Sequence, residues 1–500
     1  MRHNRGMVMA QSINQIYQSL LSQLGITWPT TADVALSGAD PVINSVFRIG
    51  ECTGAVLAAQ AAGVAEIWRR RSGQRQQVSI NALAGALAAY SVGYQSQHGF
   101  AIPQPEPSYP LVALYPARDS RWIMLHGAFP LLRNGLQNLL GCTMNPTDIA
   151  NKVATWDAFA LEQAIADQGL CGAVARSYPE WLATEQGRAI AATPIIEIVK
   201  IADSAPEPFA PAQPGDRPLS GTKVLDLTHV IAGPTIGKTL AEQGAEIMRI
   251  TSPTQPALPP FDVDTGHGKL EALLTLTNAD DAATLQGLIG QSDVFVESYR
   301  PGAMTKLGFS PENAARLRPG LIYVSVNCYG WAGPWQYRPG WEQLAQVATG
   351  MTVAQGTADN PQLQSVYPND YVTGFLGALG TLMALLRRAD EGGSYHVRVA
   401  LCRTAMWMQE QGQVDRSQLP PPAMSQAEIA PYLLTRDNPA FGPLTFLGPV
   451  LNYTATPSAW DRPTMPLGAN LPLWPLEAGG LGGTLPHSRA RHPHLAAAPC

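Results

Sequence analysis

The sequence predicts an α/β protein built on a doubly wound parallel sheet, joined to a smaller α+β domain and carrying a partial internal repeat. Three observations predict it. Short apolar strands alternate with helical segments from Gly221 to Asn327. Proline-rich breaks frame that region, and a long apolar helix with matching flanks occurs twice.

In the alternating region "KVLDL" reads as a strand, and "PTIGKTLAEQ" as a helix opened by Pro234, a good first-turn residue. "EIMRI" is a second strand and "ALLTLT" (272–277) a third. "DDAATLQGLIGQ" is a helix whose first-turn acids suit its dipole. "DVFVES", "PENAARLR" and "LIYVSVN" continue as strand, helix and strand. Such alternation marks a parallel sheet with helices on both faces, and ligands then bind at the carboxyl ends of the strands.

Two breaks divide the chain. "DSAPEPFAPAQPGDRPLSG", with five prolines, reads as an extended linker and is taken as 199–220. From "SQLPPPAMSQ" onward glycine and proline are dense, and 476–500 reads as a disordered tail. The echo sets "TGAVLAAQAAGVAEIWRRRSGQRQQVSI" beside "TGFLGALGTLMALLRRADEGGSYHVRV". Thr53 matches Thr373, and Arg69, Gly73 and Val78 match Arg388, Gly392 and Val397 with one residue slipped between. Flanks that match as well as the helix favour duplication over coincidence.

The bulk properties exclude several classes. A net charge of -5 gives no argument for nucleic acid or an anionic membrane surface. Charged residues are only 14 %, which suits a wide buried subunit interface. Six scattered cysteines without a CxxC pair read as reduced thiols in the cytoplasm. "MRHNRGMVMAQSINQ" has no apolar core of a signal peptide, and no uncharged run spans a membrane.

Chemistry concentrates in four places. In "SVYPNDYVTGFLGALGTLMALLRR" Asp370 stands before an apolar helix, as a helix cap or as a nucleophile at the mouth of a dry pocket. Thr373 and Gly374 follow it, and glycine there lets backbone come close to a ligand. If Asp370 is catalytic, its counterpart in the first copy, Gly50 or Glu51, marks a scaffold. "LTHVIAGPTIGKTL" puts His229 in a strand-to-helix loop able to present amides to a phosphate, though it is neither GxGxxG nor GxxxxGK[ST]. "VESYRPGAMTKLGFSPE" places Ser298, Tyr299, Arg300 and Lys306 at a strand's carboxyl end, as a nucleotide site or as solvated surface. His487, His492 and His494 lack any metal-site context, and no GxSxG is present.

In order and content these motifs resemble the class III coenzyme A transferases (CaiB/BaiF type). "GTKVLDLTHVIAGPTIGKTLAEQGAEIMRI" looks like that family's opening strand, loop, helix and second strand. The "RPG" turn after "DVFVESY", then "RPGWEQLAQVATG", and "DYVTGFLGALGTLMAL" followed by "GGSYHVRVAL" are similar to its later segments. The resemblance covers about Gly221 to Leu401. It implies a Rossmann-like domain at 221–410 and a closing segment at 411–475. It further implies a degenerate partial copy of the large domain at 1–103 and a small α+β domain at 104–198.

The resemblance also implies a CoA-transferase, with Asp370 as nucleophile passing through an aspartyl anhydride and an aspartyl-CoA thioester. His229, Val230, Ile231, Lys269, Ser298, Tyr299 and Lys306 would contact coenzyme A, a substrate rather than a resident cofactor. The partners would be an acyl-CoA and a carboxylic acid, in an interlocked homodimer or a pseudo-dimeric monomer, with no nucleic acid, membrane or metal. Two departures stand out. The basic residue the family places after the second strand is not evident in "RITSP", and the glycine-rich loop that shields the intermediate in some members is not found. The rivals are a non-catalytic acyl-CoA-binding homologue and an α-methylacyl-CoA racemase, whose histidine is replaced by Trp341.

Overall fold

The computed structural model describes residues 12–28, 34–103 and 110–475. The tail at 476–500, with its three histidines, and the first eleven residues lie outside the described residues. The central sheet has seven strands: β1 (Glu197–Ala202), β2 (Lys223–Leu227), β3 (Glu246–Thr251), β4 (Lys269–Leu273), β5 (Val294–Glu297), β6 (Ile322–Asn327) and β7 (Ser394–Ala400). Their order is β4-β3-β2-β5-β6-β7-β1. Six strands run parallel, and β1 pairs antiparallel with β7 at the edge. The chain therefore winds outward in both directions from β2, and the order switches between β2 and β5.

Two expected boundaries move. Residues 199–202 belong to β1 rather than to the linker, because the proline-free stretch ahead of the linker is free to pair along the sheet edge. The third strand is Lys269–Leu273 rather than 272–277. Its charged residues mask the strand pattern, yet they are buried and paired: Lys269 Nζ lies 2.7 Å from Asp226 on β2, and Glu271 lies 2.7 Å from Arg249 Nε on β3.

Among the helices are α1 (Ile49–Ser72), α2 (Ala232–Ala241), α3 (Glu342–Thr349) and α4 (Pro368–Glu391), of which α2 and α4 pack on this sheet and α1 and α3 pack on α4. The buried helix α4 packs on α2 and on α1, so its apolar character reflects an all-round core environment. The first and last parts of the chain interlace rather than forming separate units. Asn452–Tyr453 adds a strand beside Val78–Asn81, and Gly442–Leu447 pairs with Ser96–Gln97. A three-stranded antiparallel sheet of Val112–Pro116, Trp122–His126 and Gly172–Val174, with its helices, makes the small domain. Five cysteines, all but Cys500, are free among the described residues.

The glycines of α4 serve packing, not ligand approach. A Cβ on Gly374 would lie 2.6 Å from the Ala232 carbonyl oxygen and 2.6 Å from Thr235 Cβ; one on Gly377 would meet Ile236, and one on Gly380 would meet Val397. Bare backbone is what lets α4 sit this close to α2 and the sheet. Alanine at Gly374 gains about 1 kcal/mol of helix propensity but drives a methyl into backbone, which overpacking places at roughly 1–3 kcal/mol. Gly374→Ala is expected to lower the urea midpoint, and an unchanged or raised midpoint would contradict the close-contact reading.

Candidate active site

Asp370 is the third residue of α4, after Pro368 and Asn369, and the residue at the cap position, Tyr367, makes no side-chain cap. The cap comes from elsewhere. Glu342, the first residue of α3 and 28 positions earlier, accepts the Asp370 backbone N–H at 2.6 Å on Oε2. Its Oε1 accepts Asn369 Nδ2 at 2.9 Å and Gln346 Nε2 at 2.7 Å. The Asp370 carboxylate is thus released from capping. It is 7 % exposed, accepts no hydrogen bond among the described residues, and lines a cavity of about 320 Å³.

The two acids raise each other's cost of ionising. Burial pushes Glu342 up to about 7, against the pull of its hydrogen-bond donors. Burial first, and the Glu342 carboxylate second, hold Asp370 well above the usual carboxylate range. With three donors on Glu342 and none on Asp370, negative charge settles more readily on Glu342. The positive end of the α4 dipole favours an anion at Asp370.

The cavity lies at the carboxyl ends of β2, β5 and β6, at the switch in strand order. Its walls are the loop His229–Gly233 after β2, Ser298–Pro301 after β5, Val326–Cys328, Arg338–Trp341, and Phe129, Leu131 and Leu132 from the small domain. Val230 holds φ 70°, costly for a β-branched residue, in the turn between β2 and α2. Trp341 stacks against Phe129 at 5.0 Å and His126 at 5.5 Å, and meets His229 edge-on at 6.1 Å. Burial pushes the His229 imidazole down to about 4, so it is neutral at pH 7. Its Nδ1, like Ser298 Oγ, is buried without a partner.

Of the residues expected from sequence, His229, Val230, Ile231, Ser298 and Tyr299 join Asp370 around one cavity. Two do not. Lys269 is fully buried, and its ammonium donates to Asp226 and to the Pro234 carbonyl at 2.7 Å each, tying α2 to β2 beneath the cavity. A charge so enclosed is committed to its ion pair and has no contact with a phosphate. Lys306 is exposed at the end of a short helix, away from the cavity lining. The cations at the lining are instead Arg300 and Arg338. Glu342, Phe129 and Arg338 are not singled out by local sequence; for Glu342 the available signal was an acid opening a helical run just after "RPGW".

Replacing Glu342 by Gln removes the like charge while keeping one acceptor oxygen. Ionising Asp370 becomes easier, so its carboxyl is expected to titrate at lower pH than in the parent protein. Isotope-edited infrared spectra of the carboxyl band, taken as a difference against Asp370→Asn, would read this; a shift upward or none contradicts the coupling. The lost acceptor at the Asp370 N–H should cost about 1–2 kcal/mol of stability.

Comparison with known proteins locates the resemblance. The model of CoA-transferase family III matches residues 219–432, the stretch that holds Asp370, Glu342 and the loops after β2, β5 and β6. An acetyl-coenzyme A transferase of Hypoxylon pulicicidum is 34% identical over 318 residues, covering 59% of this chain and 54% of the relative. An acyl-CoA transferase of Gibberella moniliformis is 34% identical over 322 residues, covering 59% of this chain and 55% of the relative. The chain spans about half the length of the curated relatives it matches. The crystal structure of Rv3272 from M. tuberculosis is 32% identical, covering 39% of this chain and 56% of that chain, with a TM-score of 0.38.

Proposed function

We propose that the protein is a CoA-transferase that moves coenzyme A from an acyl-CoA to a carboxylic acid, with Asp370 as the nucleophile. One observation carries the reading: a carboxylate, freed from capping by Glu342, lines a cavity at the carboxyl ends of a parallel sheet. The match to CoA-transferase family III and the named relatives support the same chemistry.

The steps balance without a metal or redox partner. An Asp370 oxygen attacks the thioester carbonyl carbon, the C–S bond breaks, and an anhydride and the CoA thiolate result. The thiolate attacks the Asp370 carbonyl carbon, expels the donor acid as carboxylate, and leaves CoA as a thioester on Asp370. The acceptor carboxylate attacks that thioester and releases the thiolate again. Attack of the thiolate on the acceptor carbonyl then forms the new acyl-CoA and frees Asp370. The raised basicity of Asp370 makes its carboxylate the stronger nucleophile once ionised, and the buried setting keeps water from the anhydride. With the Asp370 N–H taken by Glu342, the main-chain amides of the His229–Gly233 loop on the cavity wall are the candidate donors for an oxyanion.

A finer reading of the fold accompanies this one. We read the sheet as Rossmann-like and the chain as its own pseudo-dimer, built by partial duplication. Helices α1 and α4 each have 24 residues, end at Gly73 and Gly392, and carry an acid third from the start, Glu51 and Asp370. Each start is held by a remote carboxylate, since Asp40 accepts the Glu51 N–H at 2.8 Å as Glu342 accepts that of Asp370. Glu51 is fully buried 2.8 Å from Arg48, so the first copy's acid is neutralised and enclosed.

One observation favours a second reading, α-proton exchange on an acyl-CoA. His229 is a neutral imidazole with a free Nδ1 on the same cavity as Asp370, which supplies an acid/base partner that Trp341 does not. A single experiment separates the two. With an acyl-CoA donor and hydroxylamine, Asp370 is expected to carry the hydroxamate by peptide mass spectrometry, and Asp370→Asn to lose exchange by roughly a thousandfold or more. Deuterium incorporation at the α-carbon with Asp370 unmodified would instead support proton exchange and refute the transferase.

A further inference from the structure

We propose that the acyl group carried at Asp370 is a short, uncharged monocarboxylic chain, with Trp341 as the wall that limits its length. This rests on the transferase reading above. The cavity of about 320 Å³ lies at the small end of the roughly 300–1,000 Å³ usual for ligand sites, and the arm bearing the thioester must share it.

The lining decides the charge. The side chains of Phe129, Leu132, Ile231, Val326, Trp341 and Leu401 are apolar. The two cations at the lining are already engaged with the small domain. Arg300 Nη2 donates to the Gly169 carbonyl at 3.1 Å, and Arg338 Nη2 donates to Gln163 Oε1 at 3.0 Å while its guanidinium lies 4.2 Å from the Trp335 ring. Arg300 is also exposed, at the rim rather than the floor. A second carboxylate on the acyl chain would share the lining with the Asp370 carboxyl, behind which Glu342 adds another buried acid, and with a neutral His229 imidazole. An unpaired charge buried among like charges is strongly disfavoured.

The wall is rigid. Trp341 stacks against Phe129 and His126 and meets the edge of His229, three ring contacts that oppose its swinging aside for a longer chain. Buried Leu132 and exposed Leu131 continue the apolar surface from the small domain toward the mouth.

The test is a kcat/KM series with acetyl-, butyryl-, octanoyl- and succinyl-CoA as donors and propionate as acceptor, with Asp370 labelling followed in parallel. Butyryl-CoA should exceed succinyl-CoA by roughly a hundredfold or more, and octanoyl-CoA by a smaller margin. Trp341→Ala should raise the octanoyl-to-butyryl ratio about tenfold or more; if that variant does not fold by circular dichroism, Trp341→Leu takes its place with the same direction. Succinyl-CoA within about tenfold of butyryl-CoA, octanoyl-CoA outrunning butyryl-CoA in the parent, or an unmoved ratio in the variant overturns the inference while labelled Asp370 leaves the transferase standing. Loss of turnover and labelling with every donor overturns both.

Discussion

Everything at the site depends on one carboxylate cap delivered across the chain. The start of α4 needs an acceptor for its unpaired N–H groups, and the nearest acid in sequence, Asp370, sits inside the first turn where it cannot supply one to its own N–H. Glu342 supplies it from another helix. That contact does two things at once. It anchors α4 at the floor of the cavity, and it places a second buried acid beside Asp370, which makes Asp370 reluctant to ionise and strongly basic when it does. A cap from Asp370 itself would have satisfied the helix and taken up the carboxylate that now lines the cavity.

The sheet beneath carries a different kind of constraint. Lys269 and Asp226 form a fully buried ion pair, and Arg249 and Glu271 another, across three adjacent strands. Such pairs contribute little net stability, yet losing one partner leaves a stranded charge at a cost of roughly 3–5 kcal/mol. Because Lys269 also holds the Pro234 carbonyl, this network fixes where α2 begins and hence how the His229–Gly233 loop turns into the cavity. Above it, Arg300 donates to the Gly169 carbonyl and Arg338 to Gln163, so the loops of the large domain are tied to the small one by polar bonds of ordinary strength.

Much of this was legible in the residues. The alternation of "KVLDL", "EIMRI", "DVFVES" and "LIYVSVN" with helical spacing announces the parallel sheet, since strands buried on both faces read as apolar runs. The loops after two of those strands were recognisable as cavity walls because strand carboxyl ends are where such sheets bind ligands. Lys269 misled for a physical reason. The resemblance gave it a coenzyme A contact by position in the chain, while the acid across the sheet, Asp226, pairs with it and makes its burial tolerable. The glycines of α4 misled similarly, because small residues look alike whether a ligand or a neighbouring helix comes close.

What the sequence determined alone is the order of strands and helices along the chain, the resemblance of its second half, and the acid at the head of an apolar helix. These rest on short-range periodicity and residue type, which are written in the order of the amino acids. What only the tertiary structure decided is that Glu342 rather than Asp370 caps that helix, that Lys269 is locked in an ion pair, and that Phe129 and Arg338 reach the cavity. Each of these depends on groups far apart in the chain meeting in three dimensions, where burial and the choice of partner, not local pattern, set whether a charge reacts or merely supports.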